Sequence, residues 1–230
     1  MSAALPKRFY KDVTVGYCEE GWQILLDGRA VKTPGKLALI CPREDIARQI
    51  AAEWDAQTDD INPAIMPLTR LLSVAIERTP DQREALIAEA RRYAGSDVLC
   101  YRAPQPVDLR ARQDKLWTPW LDWAADRGIK LAVTDGIVAI AQEAAALDKV
   151  AGYARELGDL KLTLYLHMVS VLGSAILAMA VMEGALEAER AFETSQLDAA
   201  FQIERWGEDD EAKARTEHIR SEFLALAQII

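Results

Sequence analysis

Residues Thr33–Arg70 read TPGKLALICPREDIARQIAAEWDAQTDDINPAIMPLTR, and this stretch decides the fold predicted for the first part of the chain. Pro34 precedes a glycine, a pair typical of a turn, and the apolar run after it has the length of a short β-strand. Pro42 suits the first turn of a helix, where a missing backbone N–H costs nothing. Pro63 and Pro67 interrupt the chain before a second helix. The stretch predicts a turn, a strand and two helices, and it contains no catalytic motif.

The first helix of this stretch has one apolar face. Ile46, Ile50 and Trp54 recur every four residues, which places them on the same side of a helix. Glu44 and Asp45 put negative charge beside the positive end of the helix dipole, where it stabilises the first turn. We therefore expect Trp54 to be a structural residue that docks this helix, and not a direct partner contact.

The residues before the turn alternate between apolar and polar side chains, as β-strands do. Alternation covers residues 13–17 and 22–26, and apolar runs follow at 30–33 and 37–40. Asp27-Gly28 lies between two of these runs and is the strongest short hairpin signal that a sequence can give. Residues 1–75 are therefore predicted to form a small β-rich domain, a β-meander plus a helix.

The rest of the chain is predicted to be mainly helical. Apolar periodicity predicts helices over residues 79–94, 107–127, 144–158, 160–182, 185–206 and 208–229. Gly128 and Gly207 follow two of them, and glycine favours the backbone conformation that ends a helix. A short strand at 99–102 and a second small hairpin around Asp135-Gly136 interrupt this pattern. We assign residues 76–230 to a larger all-helical C-terminal domain, and the fold class to α+β.

Composition excludes several classes of function. The net charge of −9 over 230 residues argues against nucleic-acid binding, because phosphate contacts need a basic surface. Three cysteines without CxxC spacing predict neither a disulfide framework nor a zinc site. The chain also lacks the glycine-rich phosphate loops and the GxSxG motif, so we expect no cofactor and no catalytic residue.

One apolar run leaves two alternatives open. Residues 162–182 carry no acidic or basic side chain apart from His167, and they are long enough to cross a bilayer. The flanks lack a cluster of Lys and Arg, which favours a buried helix of a globular domain over a membrane helix. A membrane-associated assembly factor that inserts residues 162–182 remains the alternative.

No histidine or cysteine has a partner in the sequence that would make it catalytic. His167 lies among apolar residues, where a hydrogen-bonded core histidine is the usual case, and His218 lies on a charged helix. Cys100 would need a basic neighbour to act as a nucleophile. The alternative enzyme would have a carboxylate site assembled in space, with Asp97, Glu204 or Glu208 as its acids.

The segment 197–211, LDAAFQIERWGEDDE, is the second informative stretch. Acidic residues stabilise the first turn of a helix, but four in succession at 208–211 exceed what one helix start requires. Asp198 and Glu204 lie on the preceding helix and extend this acidic region. We predict that part of it faces a partner protein.

These stretches together resemble the ATP12 family of F1-ATPase assembly chaperones along nearly the whole chain. The matching pieces are RFYKDV at 8–13, ILLDGRAVKTPGKLAL at 24–39, AAEWDAQ at 51–57, INPAIMPLTRL at 61–71, DVLCYRAP at 97–104, Gln113, Trp117, Pro119 and Trp123 in their spacing, and SQLDAAFQIERWGED at 195–209. Two positions depart from the family pattern, because Ser96 stands where a threonine is usual and Ala199 where an acidic residue is usual.

The resemblance implies a non-enzymatic chaperone that binds the α subunit of the F1 sector of ATP synthase and shields its assembly surface until the β subunit replaces it. We predict the partner-binding residues in the last matching piece: Asp198, Gln202, Glu204, Trp206, Glu208 and Asp209. Only a few polar residues precede Arg8, so we expect a bacterial, cytoplasmic member, or a mitochondrial matrix protein if the source is eukaryotic. We expect a monomer when free, without membrane insertion.

Overall fold

The computed structural model describes residues 5–136 and 138–230. Contacts divide the chain into two compact units, the first extending to Gln82 and the second covering Arg83–Gln228. The first unit contains a small sheet and the second is mainly helical, which confirms the α+β class. The division of the chain after residue 75 stays a prediction.

Short strands dominate the start of the chain and helices the remainder. The strands are β1 (Val13–Cys18), β2 (Gly21–Leu26), β3 (Arg29–Ala30), β4 (Ile40–Cys41), β5 (Tyr101–Arg102) and β6 (Thr134–Asp135). The helices are α1 (Glu44–Asp55), α2 (Pro67–Glu77), α3 (Thr79–Ala94), α4 (Val107–Ala125), α5 (Ala144–Glu156), α6 (Asp159–Leu172), α7 (Ala175–Met182), α8 (Ala188–Ser195), α9 (Leu197–Trp206) and α10 (Asp210–Ala227).

The N-terminal sheet is built around β2. β1 pairs with it antiparallel along its full length, and β3 follows through the hairpin predicted at Asp27-Gly28. Both turn residues have positive φ, 48° and 78°, which is the conformation that this turn requires. In a simple meander β4 would pair with β3. Here β4 instead pairs with the start of β2, with Trp22 opposite Cys41.

Helix α1 packs on β1 and β2 through the predicted apolar face. Ile46 and Ile50 are buried, whereas Trp54 at the end of the helix is half-buried. The preceding chain holds this helix end, because Arg8 donates to the carbonyl of Asp55 at 2.9 Å and the Tyr10 hydroxyl donates to that of Trp54 at 2.7 Å. These bonds satisfy carbonyl groups that a helix end leaves without partners.

Glu53 joins α1 to the start of α2. Its carboxylate accepts from the backbone N–H groups of Leu68 and Thr69 at 2.7 and 2.8 Å, and from the Thr69 hydroxyl at 2.7 Å. Burial nevertheless raises the pKa of this carboxyl, because desolvation outweighs the three hydrogen bonds. A side chain distant in sequence thus caps α2, whose own N-cap residue Met66 makes no such bond.

The apolar run 162–182 forms two helices and not the single helix predicted over 160–182. α6 ends at Leu172, and its C-cap Gly173 has the left-handed conformation, with a φ of 62°. The Ser174 hydroxyl then caps α7 by accepting from the Leu177 N–H at 3.0 Å. All eight residues of α7 are buried, packed by α4, α6 and α8. Over the described residues, no helix combines the length and the apolar character that crossing a bilayer demands.

Two further predictions differ in detail. The helix predicted over 185–206 is divided at Gln196 into α8 and α9. The residues around Asp135-Gly136 form no hairpin in the described part of the chain, because β6 pairs parallel with β5, and Ile137 lies outside the described residues. The helical unit is therefore not all-helical, since it includes this two-residue pair.

Candidate partner-binding surface

Helices α4 and α9 are joined by ion pairs at their surface. Arg112 donates to both carboxylate oxygens of Glu204 at 2.8 Å, and Arg205 donates to Asp108 at 2.9 Å. All four side chains are about half exposed, so each pair contributes little to stability, about 0.2–1 kcal/mol. Their main effect is to fix how α9 lies along α4.

An aromatic ring lies beneath these pairs. Phe201 is buried, and the guanidinium groups of Arg112 and Arg205 lie 5.2 and 4.4 Å from its ring centre. Such cation–π contacts add about 0.5–1 kcal/mol each at an exposed site. Nearer the start of α9, the Gln113 amide donates to Asp198 at 2.8 Å, which gives this buried glutamine a partner. Asp198 is therefore a contact within the protein, half-buried at the α4–α9 junction.

Three large apolar side chains are exposed beside the ion pairs. Trp206 is 78% exposed, Val107 in the first turn of α4 is 70% exposed, and Ile203 is 40% exposed. Gly207 ends α9 directly after the tryptophan, with a φ of 84° that few other residues adopt. Exposed apolar side chains that lie together, and not singly, mark candidate interaction surfaces.

The four acids at 208–211 have separate positions in the helix junction. Asp209 is the N-cap of α10 and accepts from the Ala212 N–H at 3.0 Å, and Glu208 lies 3.4 Å from Lys213. Asp210 and Glu211 are exposed in the first turn of α10, where the helix dipole favours them. Asp209 caps α10, Glu208 has an intramolecular partner, and Asp210 and Glu211 are favoured by the helix dipole. The sequence analysis had expected fewer of these acids to have such roles.

The predicted partner-binding residues lie on α9 and at the start of α10. Gln202, Glu204 and Trp206 are exposed on α9, and Glu208 and Asp209 follow them. Sequence reasoning missed the opposing residues of α4, because Arg112 and Glu204 are 92 positions apart. The assignment of these side chains to a partner stays a prediction.

The carboxylates of the alternative enzyme do not share a cleft. Asp97 is fully buried and receives hydrogen bonds from Ser174 and from two backbone N–H groups, whereas Glu204 and Glu208 are on the surface. Cys100 is buried, and desolvation raises the pKa of its thiol to about 12, so the reactive thiolate is suppressed. In the described ranges, no three His, Cys, Asp or Glu side chains are grouped as metal ligands.

Comparison with known proteins decides the family. Residues 7–125, just over half of the chain, match the family described as ATP12 chaperone protein. The chain belongs to the ATP12 chaperone family. Protein atp12, mitochondrial, of Schizosaccharomyces pombe is 26% identical over 219 residues, which cover 90% of this chain and 75% of that protein.

Solved structures support the same family. The crystal structure of Atp12 from Paracoccus denitrificans matches with a TM-score of 0.90 and 37% identity, covering 97% of this chain and 96% of the other. A point mutant of that protein matches to the same extent. The family carries the name of a chaperone, so membership assigns this ATP12-family protein to the chaperones and not to the enzymes, as the sequence predicted.

Proposed function

We propose that this protein is an assembly chaperone of ATP synthase that binds the α subunit of the F1 sector before the β subunit joins it. Family membership supports the chaperone role, and the motif resemblance supports the partner. The observation that carries the site is Trp206, a large apolar side chain held 78% exposed at the end of α9.

The surface around Trp206 has the composition of a small protein interface. Trp206, Ile203 and Val107 supply apolar area, and the Arg112–Glu204 and Arg205–Asp108 pairs supply a polar margin. Tryptophan is enriched among the few interface residues that dominate binding energy, and a polar margin directs orientation more than affinity. We place the α subunit on this surface, with Gln202, Trp206 and Glu208 as the proposed contacts. Asp198, Glu204 and Asp209, which have partners within the protein, position α9 and the start of α10 beneath them.

The function requires an affinity that permits release. A complex with a Kd near the micromolar level, about −8 kcal/mol, exchanges readily for the more extensive contact with a β subunit. A surface with one exposed tryptophan and a few smaller apolar side chains suits that level better than a large apolar interface does. We expect the protein to work as a monomer, in the cytoplasm of a bacterium or in the mitochondrial matrix of a eukaryote.

Removing the tryptophan tests the site. Trp206→Ala should weaken binding to isolated F1 α subunit about thirtyfold, because a tryptophan at the centre of an interface contributes about 2 kcal/mol or more. Binding is measured by biolayer interferometry with immobilised α subunit. The side chain is largely outside the core, so the melting temperature should change little.

The matched control is Phe9→Ala, which removes another aromatic side chain that is 72% exposed. The control variant should bind α subunit like the wild type. Equal binding of wild type and Trp206→Ala would contradict the proposed site. Equal protection of α and β subunits against aggregation by the wild type would contradict the proposed partner.

A further inference from the structure

The N-terminal unit contains a pocket that the proposed function does not use. It has a volume of about 590 Å³ and lies between the loop after β3, the end of α1 and the length of α2. Its lining includes Lys32, Trp54, Met66, Arg70, Val74 and Arg78. Ligand pockets in proteins span about 300–1,000 Å³, so this volume is sufficient for a bound group.

The wall of the pocket is mainly apolar. Trp54, Met66 and Val74 line it, and Val74 is still 43% exposed. Apolar surface continues beyond the pocket at Ile65, which is 55% exposed and lies in the chain between the lining residues Pro63 and Met66. A cavity that opens onto further apolar surface fits an extended chain better than a small molecule that would be enclosed.

The charged residues that line the pocket are mainly cations, although the whole protein carries a net negative charge. Lys32, Arg70 and Arg78 are the cations of the lining, and Glu77 is its carboxylate. Glu77 accepts from the N–H of Gly35, and its pKa is lowered first by the Thr33 hydroxyl and then by this N–H. Glu77 therefore stays ionised, with Arg78 as a further stabilising charge. The lining still has three cations against one carboxylate, an excess of positive charge in a chain whose net charge is −9.

We propose that this pocket docks an acidic peptide segment of a partner protein. One apolar side chain of the segment would enter the pocket against Trp54 and Val74, and flanking carboxylates would lie beside Lys32 and Arg78. Charge complementarity selects an acidic segment over a basic one. The proposal goes beyond the proposed function, which rests on α4, α9 and α10, and it gives Trp54 a binding role in addition to its packing role.

The test uses the full chain and a fluorescein-labelled peptide in which phenylalanine and leucine alternate with glutamate. Two further peptides replace either the glutamates by lysine or the apolar residues by serine. Fluorescence anisotropy should show binding of the first peptide, with each replacement weakening it about tenfold or more. In protein labelled with ¹⁵N at tryptophan, the indole N–H signal of Trp54, assigned with Trp54→Phe, should shift on binding.

Variants separate this pocket from other surfaces. Arg78→Glu should weaken peptide binding about tenfold, whereas the control Arg29→Glu makes the same charge change at an exposed residue outside the lining and should bind normally. Trp206→Ala should also leave peptide binding unchanged. The proposal fails if the lysine peptide binds equally well, if Arg78→Glu binds like the wild type, or if the Trp54 signal stays in place. Equal competition by free phenylacetate would assign the pocket to a small molecule and would likewise overturn it.

Discussion

Asp97 is a fully buried carboxyl group whose environment affects stability. Its carboxylate accepts from the Ser174 hydroxyl at 2.9 Å and from the N–H groups of Leu99 and Ile176 at 3.1 and 3.2 Å. These hydrogen bonds connect the segment just before β5, which contains Asp97, to the residues between α6 and α7 and at the start of α7. Full burial outweighs the hydrogen bonds and raises the pKa of Asp97 from 3.8 to about 6.

This shift predicts a pH dependence with a defined sign. Between about pH 4 and pH 6 the folded protein holds a proton on Asp97 that the unfolded chain releases, so the contribution of this group to stability falls as pH rises. Asp97→Asn carries no charge at any pH and cannot accept all three hydrogen bonds. The variant should therefore be less stable than the wild type at pH 4.5, and the difference should shrink by about 2 kcal/mol at pH 7.

Urea unfolding of both proteins at the two pH values measures that change. Other carboxyl groups titrate equally in both proteins, so the comparison isolates Asp97. A stability difference that is the same at pH 4.5 and pH 7 would show that the buried carboxyl keeps an ordinary pKa.

Two helices, α4 and α9, carry the next prediction, because the structure gives Glu204 a partner inside the protein. Glu204→Arg should weaken α-subunit binding about tenfold, since it places two cations together and displaces the end of α9. The charge swap that adds Arg112→Glu restores opposite charges across the helix pair, and binding should return to within about threefold of wild type. The same binding assay measures all three variants. If the swap binds as poorly as the single variant, Glu204 contacts the partner itself, as the sequence suggested.

At the scale of the whole molecule, the sequence predicted what depends on local pattern. The hairpin at Asp27-Gly28, the apolar face of α1 and the end of α9 at Gly207 follow from residues close together in the chain. The apolar run 162–182 was predicted as one helix because its hydropathy is uniform. Gly173 and Ser174, which separate α6 from α7, are a local sequence signal for the end of one helix and the start of the next. Gln196 offers no such signal, since it is neither glycine nor proline.

The contacts that define the candidate surface were not predictable from one sequence. Arg112 is paired with Glu204 and Arg205 with Asp108 across separations of 92 and 97 residues. A strand was predicted at 37–40, but β4 is Ile40–Cys41 and overlaps that run only at Ile40, and its pairing with β2 depends on how the loop from Val31 returns. The exposure of a side chain was not predictable either, because Trp117 is fully buried and Trp206 largely exposed although both lie on helices that mix charged and apolar residues.

The net charge of −9 is a property of the whole molecule and affects its rate of association with a partner. An acidic surface attracts a basic face of a partner, and we expect the α subunit to present one. Association should then slow as salt is raised, because the screening length falls from about 10 Å at 0.1 M to about 3 Å at 1 M. Stopped-flow fluorescence measures the rate. Asp210→Asn with Glu211→Gln should remove part of the salt dependence and keep the helical circular dichroism signal.

Glu19→Gln with Glu20→Gln is the matched control, since it removes the same charge from two exposed acids of the β1–β2 turn. That variant should retain the salt dependence more fully than the α10 variant. Equal behaviour of the two variants would assign the effect to net charge alone, and a rate independent of salt would contradict steering altogether.

Helix α7 has no outer face, because each of its eight residues is buried. Most helices tolerate substitution with a period of 3.6 residues, since one side meets solvent. Along Ala175–Met182 that period disappears. Polar residues are disfavoured at every position, and enlarging Ala178 or Ala180 disturbs packing, as shrinking Leu177 does. This short segment can therefore diverge among relatives only through compensated exchanges with the helices around it, and we expect it to change more slowly than α1, whose polar side is free to vary.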